Sequence, residues 1–230
     1  MLGLIKALRW KDVAAGLVEK PSLIQYRDDT GRNWLHICCG VNPERRSLTP
    51  ADSVRTARVL LDAGLEIDRE AFREGRWKAT PLWYAVARGE NLKLARYLLE
   101  RGSDPNHCLW AAAFKEDPAA IKLLVGSGAD IDPVSEDATP FLSTVKWSHF
   151  RAAKALLELG ADVDFQDRRG MTALHYMLKK GSDERHFRMI LRFGARGDLK
   201  NRDGATAAEI MMRKRSASFR SMAKQLSARR

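Results

Sequence analysis

The chain is poor in cysteine, in long apolar runs and in catalytic signatures. Its three cysteines, Cys38, Cys39 and Cys108, are too few and too unevenly placed among 230 residues for a disulfide framework. Cys38 and Cys39 are adjacent and poorly placed to bridge each other, so a reducing cytoplasm is the simplest expected compartment. No stretch approaches the about 18 consecutive apolar residues that a membrane-spanning helix needs. The opening MLGLIKALRWKDV meets charge too early for a secretory signal. A glycine-rich phosphate loop, a His-Glu-x-x-His pair and a Cys-x-x-Cys pair are all missing. No catalytic residue, metal site or cofactor is therefore expected. A hydrophobic fraction of 45% still argues for a folded chain rather than a disordered one.

Positive charge is present in excess, and it is unevenly spread. The net charge is +11. From Phe165 to Arg230 lie 17 of the 40 Lys and Arg residues but 6 of the 29 Asp and Glu residues, so the last third carries the entire excess. Such asymmetry points to an acidic partner at that end. A solvated basic surface that serves solubility alone is the competing explanation.

The richest signal is internal repetition. TPLWYAVARGENLKLARYLLERGSDPN (Thr80 to Asn106), TPFLSTVKWSHFRAAKALLELGADVD (Thr139 to Asp164) and MTALHYMLKKGSDERHFRMILRFGARGD (Met171 to Asp198) are versions of one unit. A recurrence near 33 residues indicates a stacked helical repeat. Thr80, Thr139, Thr172 and Thr206 read as helix N-caps, with Pro81 and Pro140 at the first helical position. Each unit closes on Leu-Leu-x-x-Gly or a variant, and Gly64, Gly102, Gly128, Gly160 and Gly194 read as helix stops.

At these motifs the chain resembles the ankyrin repeat family, and MTALH (Met171–His175) lies close to that family's Thr-Pro-Leu-His signature. The resemblance implies an all-α solenoid of about seven helix pairs stacked in a curved array, with β-hairpin fingers, and a role in binding other macromolecules. Residues 1–230 then form one domain: a cap over 1–27, repeats over 28–200 and a basic capping unit over 201–230. Leu2–Arg9 and Lys11–Glu19 are the expected cap helices. An insertion, Val41–Asp52, should loop out between the helices of the first full unit. The third full unit, HCLWAAAFKEDPAAIKLLVGSGADID, follows Asn106 directly, so its finger should be missing. His36 and His175 take the signature histidine position, which implies hydrogen bonding within the fold rather than metal ligation.

In a solenoid, function sits on a continuous surface rather than in a pocket. The family pattern implies that partners touch the ends of the first helices and the finger tips. Carried onto this sequence, it selects Arg88, Phe114, Lys115, Lys146, Trp147, Lys179, Lys180, Arg213 and Lys214 at the helix ends. It adds Arg76, Trp77, Arg168, Arg169 and Arg202 on the fingers. The expected function is a non-enzymatic interaction module or adaptor. It would bind an acidic or phosphorylated protein segment on a basic face, with Trp77, Phe114 and Trp147 as apolar anchors. Nucleic-acid binding by the basic third is the main alternative, and an enzyme with a site beside Val41–Asp52 is a lesser one. Ankyrin repeats occur in housekeeping and in exported proteins alike, so export as an effector stays open beside the cytoplasm.

Overall fold

Short helices in pairs account for nearly all regular structure. The computed structural model describes residues 1–71, 73–74 and 77–227, with residues 73, 74, 77, 78 and 227 described through their backbone alone. Helices α1 (Leu2–Lys6) and α2 (Trp10–Glu19) form the N-terminal pair. The pairs α3 (Trp34–Cys39) with α4 (Pro50–Asp62), α5 (Pro81–Ala87) with α6 (Leu92–Glu100) and α7 (Leu109–Phe114) with α8 (Pro118–Gly126) follow. The C-terminal pairs are α9 (Pro140–Trp147) with α10 (Phe150–Glu158), α11 (Ala173–Lys180) with α12 (Glu184–Arg192), and α13 (Ala207–Met212) with α14 (Ala217–Ser227). The fold is an all-α repeat solenoid.

Local chemistry starts and stops these helices where the sequence says. The Thr80 hydroxyl accepts from the Trp83 N–H at 3.3 Å, and Thr139 accepts from Leu142 at 3.2 Å. Each satisfies an N–H that has no partner within its own helix. Thr206 and Glu209 form a reciprocal capping box. At the opposite ends, Gly64 and Gly160 adopt φ of +96° and +97°, a conformation that costs other residues a steric penalty.

The insertion is shorter than Val41–Asp52. Thr49 caps α4, its hydroxyl accepting from the Asp52 N–H at 3.2 Å, and Pro50 takes the first helical position. Residues 50–52 thus belong to the helix. The Leu-Thr-Pro run is a cap that the repeat frame concealed, because it lies in a second helix rather than a first. Residues 40–49 remain a connection, with a 3₁₀ turn over Glu44–Arg46.

Packing gathers the chain into two compact units, Met1–Ala111 with Gly126–Ala129, and Ala112–Val125 with Asp130–Arg230. In the first unit, α3 packs on α5 and α4 on α6. In the second, α9, α11 and α13 stack in sequence, as do α10, α12 and α14. First helices therefore meet first helices, and second helices meet second helices. The doubled leucines supply the buried seams: Leu60 and Leu98 in the first unit, and Leu156 with Ile190 in the second, are fully buried. Cys38, Cys39 and Cys108 are small core residues here, also fully buried.

The fingers vary. One antiparallel ladder is present among the described residues, β1 (Arg73–Glu74) with β2 (Trp77–Lys78). The later fingers carry isolated antiparallel bridges, Ser135 with Ala138 and Lys200 with Thr206, and are closed by side chains as well. Asp167 Oδ1 accepts from the Arg169 and Met171 N–H groups, each at 2.9 Å, and Asn201 Oδ1 accepts from Asp203 and Ala205 at 3.0 Å. Before α7 the connection is residues 101–108, against residues 127–139 before α9. That shortened connection holds no described strand or bridge.

Candidate protein interface

Three successive first helices end side by side, with their terminal residues all in the second unit. The α7 terminus supplies Phe114 and Lys115, α9 supplies Lys146 and Trp147, and α11 supplies Lys179 and Lys180. Direct contacts join them. The Phe114 and Trp147 rings meet edge to face with centroids 5.3 Å apart, and His149 lies 6.0 Å and 5.8 Å from them. The Lys180 ammonium donates to the Lys146 carbonyl at 2.6 Å and lies 2.7 Å from the Ser148 hydroxyl. A lysine from one repeat thereby caps the exposed carbonyl end of the preceding first helix.

Exposure is uneven across this strip. Phe114 keeps 59% of its surface in solvent and Trp147 keeps 38%. Large apolar groups rimmed by charge on a surface mark interaction sites. Lys115, Lys179, Arg213, Arg88, Arg168, Arg169 and Arg202 are exposed, whereas Lys146 and Lys214 are half-buried.

Lys146 is held in place from below. Its ammonium stands 4.7 Å from the centre of the Tyr176 ring and 3.8 Å from Asp167 Oδ2. The Tyr176 hydroxyl donates to the same carboxylate oxygen. The Asp167 side chain is 2% exposed, a buried charge satisfied by two finger N–H groups, a phenol and an ammonium. These hydrogen bonds and Lys146 outweigh burial and hold the Asp167 carboxyl below its ordinary range. Burial, with the bond to Asp167 adding to it, pushes the Tyr176 phenol up to about 12.

The finger residues fare differently. Arg168 is tied to Asp137, its N–H donating at 2.8 Å and its Nε standing 3.3 Å from the carboxylate. The Arg202 N–H donates to the Arg169 carbonyl at 2.9 Å and links two successive fingers. Arg213 caps the end of α13, and the carbonyl of Lys214 accepts from Arg220 at 3.1 Å. Arg88 ends α5 in the other unit. Arg76 and the Trp77 side chain lie outside the described residues. The structure thus brings Phe114, Lys146, Trp147 and Lys180 into one cluster and joins Arg169 to Arg202.

Sequence reasoning missed Asp167, Tyr176 and His149. Asp167 was legible as the turn residue of QDRRG, since a carboxylate that closes an Asx turn is a common finger device. Its second bond to Tyr176 depends on the finger folding back over α11, which no local pattern announces.

Among the described residues no group of three or more His, Cys, Asp or Glu side chains is placed to hold a metal ion. Burial pushes the Cys38 and Cys108 thiols up to about 12 and Cys39 well above its ordinary value. Burial thus favours the protonated thiol at each of the three. His36 and His175 are buried and bonded, Nε2 of His36 to the Arg69 carbonyl at 2.8 Å and Nε2 of His175 to the Ala205 carbonyl at 3.2 Å. Among the described residues no helix is long and apolar enough to cross a membrane.

Comparison with known proteins agrees with this architecture. A family model described as "Ankyrin repeats (3 copies)" matches residues 109–213, and one described as "Ankyrin repeat" matches residues 77–108. The chain is 28% identical over 140 residues to phosphocholine transferase AnkX of Legionella pneumophila, which covers 56% of this chain and 14% of that protein. It is 34% identical over 110 residues to human SH3 and multiple ankyrin repeat domains protein 1, covering 44% of this chain and 5% of that one. The chain therefore spans a small part of the curated relatives it matches. Among solved structures, the ankyrin repeat domain of Bcl-3 superposes with a TM-score of 0.77 at 20% identity, covering 97% of this chain and 96% of that one. The human ASB11 ankyrin repeat domain gives 0.74 at 19% identity, with 97% and 96% covered. An ankyrin repeat domain from Acinetobacter baumannii gives 0.62 at 22% identity, with 84% and 98% covered.

Proposed function

Because the chain belongs to the ankyrin repeat family, whose repeats are in general protein–protein interaction modules and whose fold is typically a non-enzymatic scaffold, we propose that it is an adaptor for an acidic partner protein. The partner segment lies across the first-helix ends of the second unit and the fingers beside them. The observation that carries this reading is the contiguous row of Phe114, Trp147, Lys146 and Lys180 on neighbouring repeats, flanked by exposed Lys179 and Arg213. Cations at the rim speed encounter and select partners of opposite charge, while the aromatic groups supply the buried area.

The test is binding of a fluorescent polyglutamate peptide, followed by anisotropy at low and high salt. Lys179→Glu with Arg213→Glu should weaken binding and flatten its salt dependence. Affinity unchanged by this double reversal at both salt levels refutes the assignment. Random duplex DNA, run in parallel, tests the alternative. DNA binding stronger than peptide binding, and more steeply salt-dependent, would favour nucleic acid.

A further inference from the structure

The row of helix ends has an apolar step among cations, and the charges beside that step, at the ends of α7, α9 and α11, are lysines. Lys115, Lys146, Lys179 and Lys180 occupy the termini of α7, α9 and α11. A lysine ammonium is a point charge, whereas planar bidentate capture of one phosphate is the province of arginine. Lys180 and Lys146 are also engaged within the protein. Lys180 is bonded to the α9 terminus, and Lys146 is held by Tyr176 and Asp167. These two charges are therefore already committed to partners within the protein and are not free to close together on one dianion. Carboxylates distributed along an extended chain complement this row better than a single phosphate.

The apolar step is the Phe114–Trp147 pair. Phe114 closes α7 with its ring outward, and Trp147 closes α9 with its edge against it. His149 backs both rings. The rings brace one another and lose little side-chain freedom when covered, which makes aromatic anchors efficient at interfaces. Building on the adaptor reading, we infer that the partner is an unphosphorylated acidic segment carrying one bulky apolar or aromatic side chain. That side chain packs on Phe114 and Trp147 while flanking carboxylates face Lys115 and Lys179.

Four fluorescent peptides of equal length test this by anisotropy: alternating Glu and Gly; the same with one central Phe; a neutral Ser and Gly peptide with the same Phe; and a Ser and Gly peptide carrying phosphoserines to equal total charge. The central Phe should tighten binding of the acidic peptide about tenfold, equivalent to about 1.4 kcal/mol. Phe114→Ala should erase most of that gain without weakening the Phe-free acidic peptide, and Phe114→Ala with Trp147→Ala should erase it entirely. Because Phe114 is largely in solvent, the single variant should fold, which circular dichroism checks. Equal affinity of the two acidic peptides overturns the anchor and leaves the adaptor reading standing. No binding of either acidic peptide overturns both. Tighter binding of the phosphoserine peptide than of the Phe-bearing acidic peptide overturns the choice of carboxylate chemistry.

Discussion

Lowering the pH from about 7.5 to about 5 should destabilise the protein through His36. This imidazole sits in α3, fully buried, where Nδ1 accepts the Asn33 N–H at 3.2 Å and Nε2–H donates to the Arg69 carbonyl at 2.8 Å. With the ring proton on Nε2, Nδ1 is open to accept this N–H. Burial, reinforced by the Arg27 charge, depresses its pKa from 6.5 to about 4, against the pull of the Arg69 carbonyl. Between these two values the unfolded chain binds more protons than the folded one, so stability rises with pH across this window. The contribution is complete above about pH 6.5 and is lost as pH falls toward about 4. Its full size is about 3 kcal/mol, of which about 2 kcal/mol is lost by pH 5. His175, also depressed by burial, acts in the same direction. Asp132 and Asp164, raised by burial, act against it, since their folded forms hold protons above the ordinary carboxylate value. Urea unfolding at the two pH values measures the sum. The same pair of measurements on His36→Gln isolates this residue, because a glutamine amide can accept and donate but does not titrate. The pH-dependent loss should shrink by about 2 kcal/mol in the variant. An identical loss in wild type and variant would refute the assignment, as would an NMR titration placing His36 near 6.5.

Two further substitutions probe the packing of the first unit. The Asn33 amide nitrogen is buried without a hydrogen-bond partner, and its Oδ1 lies 2.6 Å from the acceptor Nδ1 of His36. Asn33→Thr should raise stability by about 1 kcal/mol in urea unfolding, because a hydroxyl can donate to Nδ1 as Thr172 is placed to do toward His175 at 2.9 Å. A decrease would show that the second N–H held by Asn33 matters more. Gly89→Ala should cost about 1–3 kcal/mol, since a Cβ there would stand 2.3 Å from the Cys39 carbonyl oxygen. An unchanged melting temperature would mean that the α3–α5 contact gives way freely.

Much of this architecture can be read locally, and the residues that can be read share one property. Thr80, Thr139 and Thr206 act on N–H groups three residues away, and Gly64 and Gly160 act on their own φ, so sequence spacing contains the whole interaction. The features that escaped reading join elements that are not neighbours along one helix. Lys180 reaches the end of α9, Tyr176 reaches a finger carboxylate, and Lys146 is fixed by both Tyr176 and Asp167. The Lys180 and Lys146 contacts depend on how one helix pair is stacked on the last, and that stacking is set by the buried leucine seam and not by the polar residues it aligns. The same logic explains why a tally of basic residues is a poor guide to the interface. Arg168 and Lys180 both read as exposed cations in the sequence, yet one is paired with Asp137 and the other completes a helix terminus. What separates a recognition charge from a structural one is whether the neighbouring repeat supplies an acceptor. At Lys179 and Arg213 the charge stays in solvent, and these are the positions where a partner's carboxylate has least to displace.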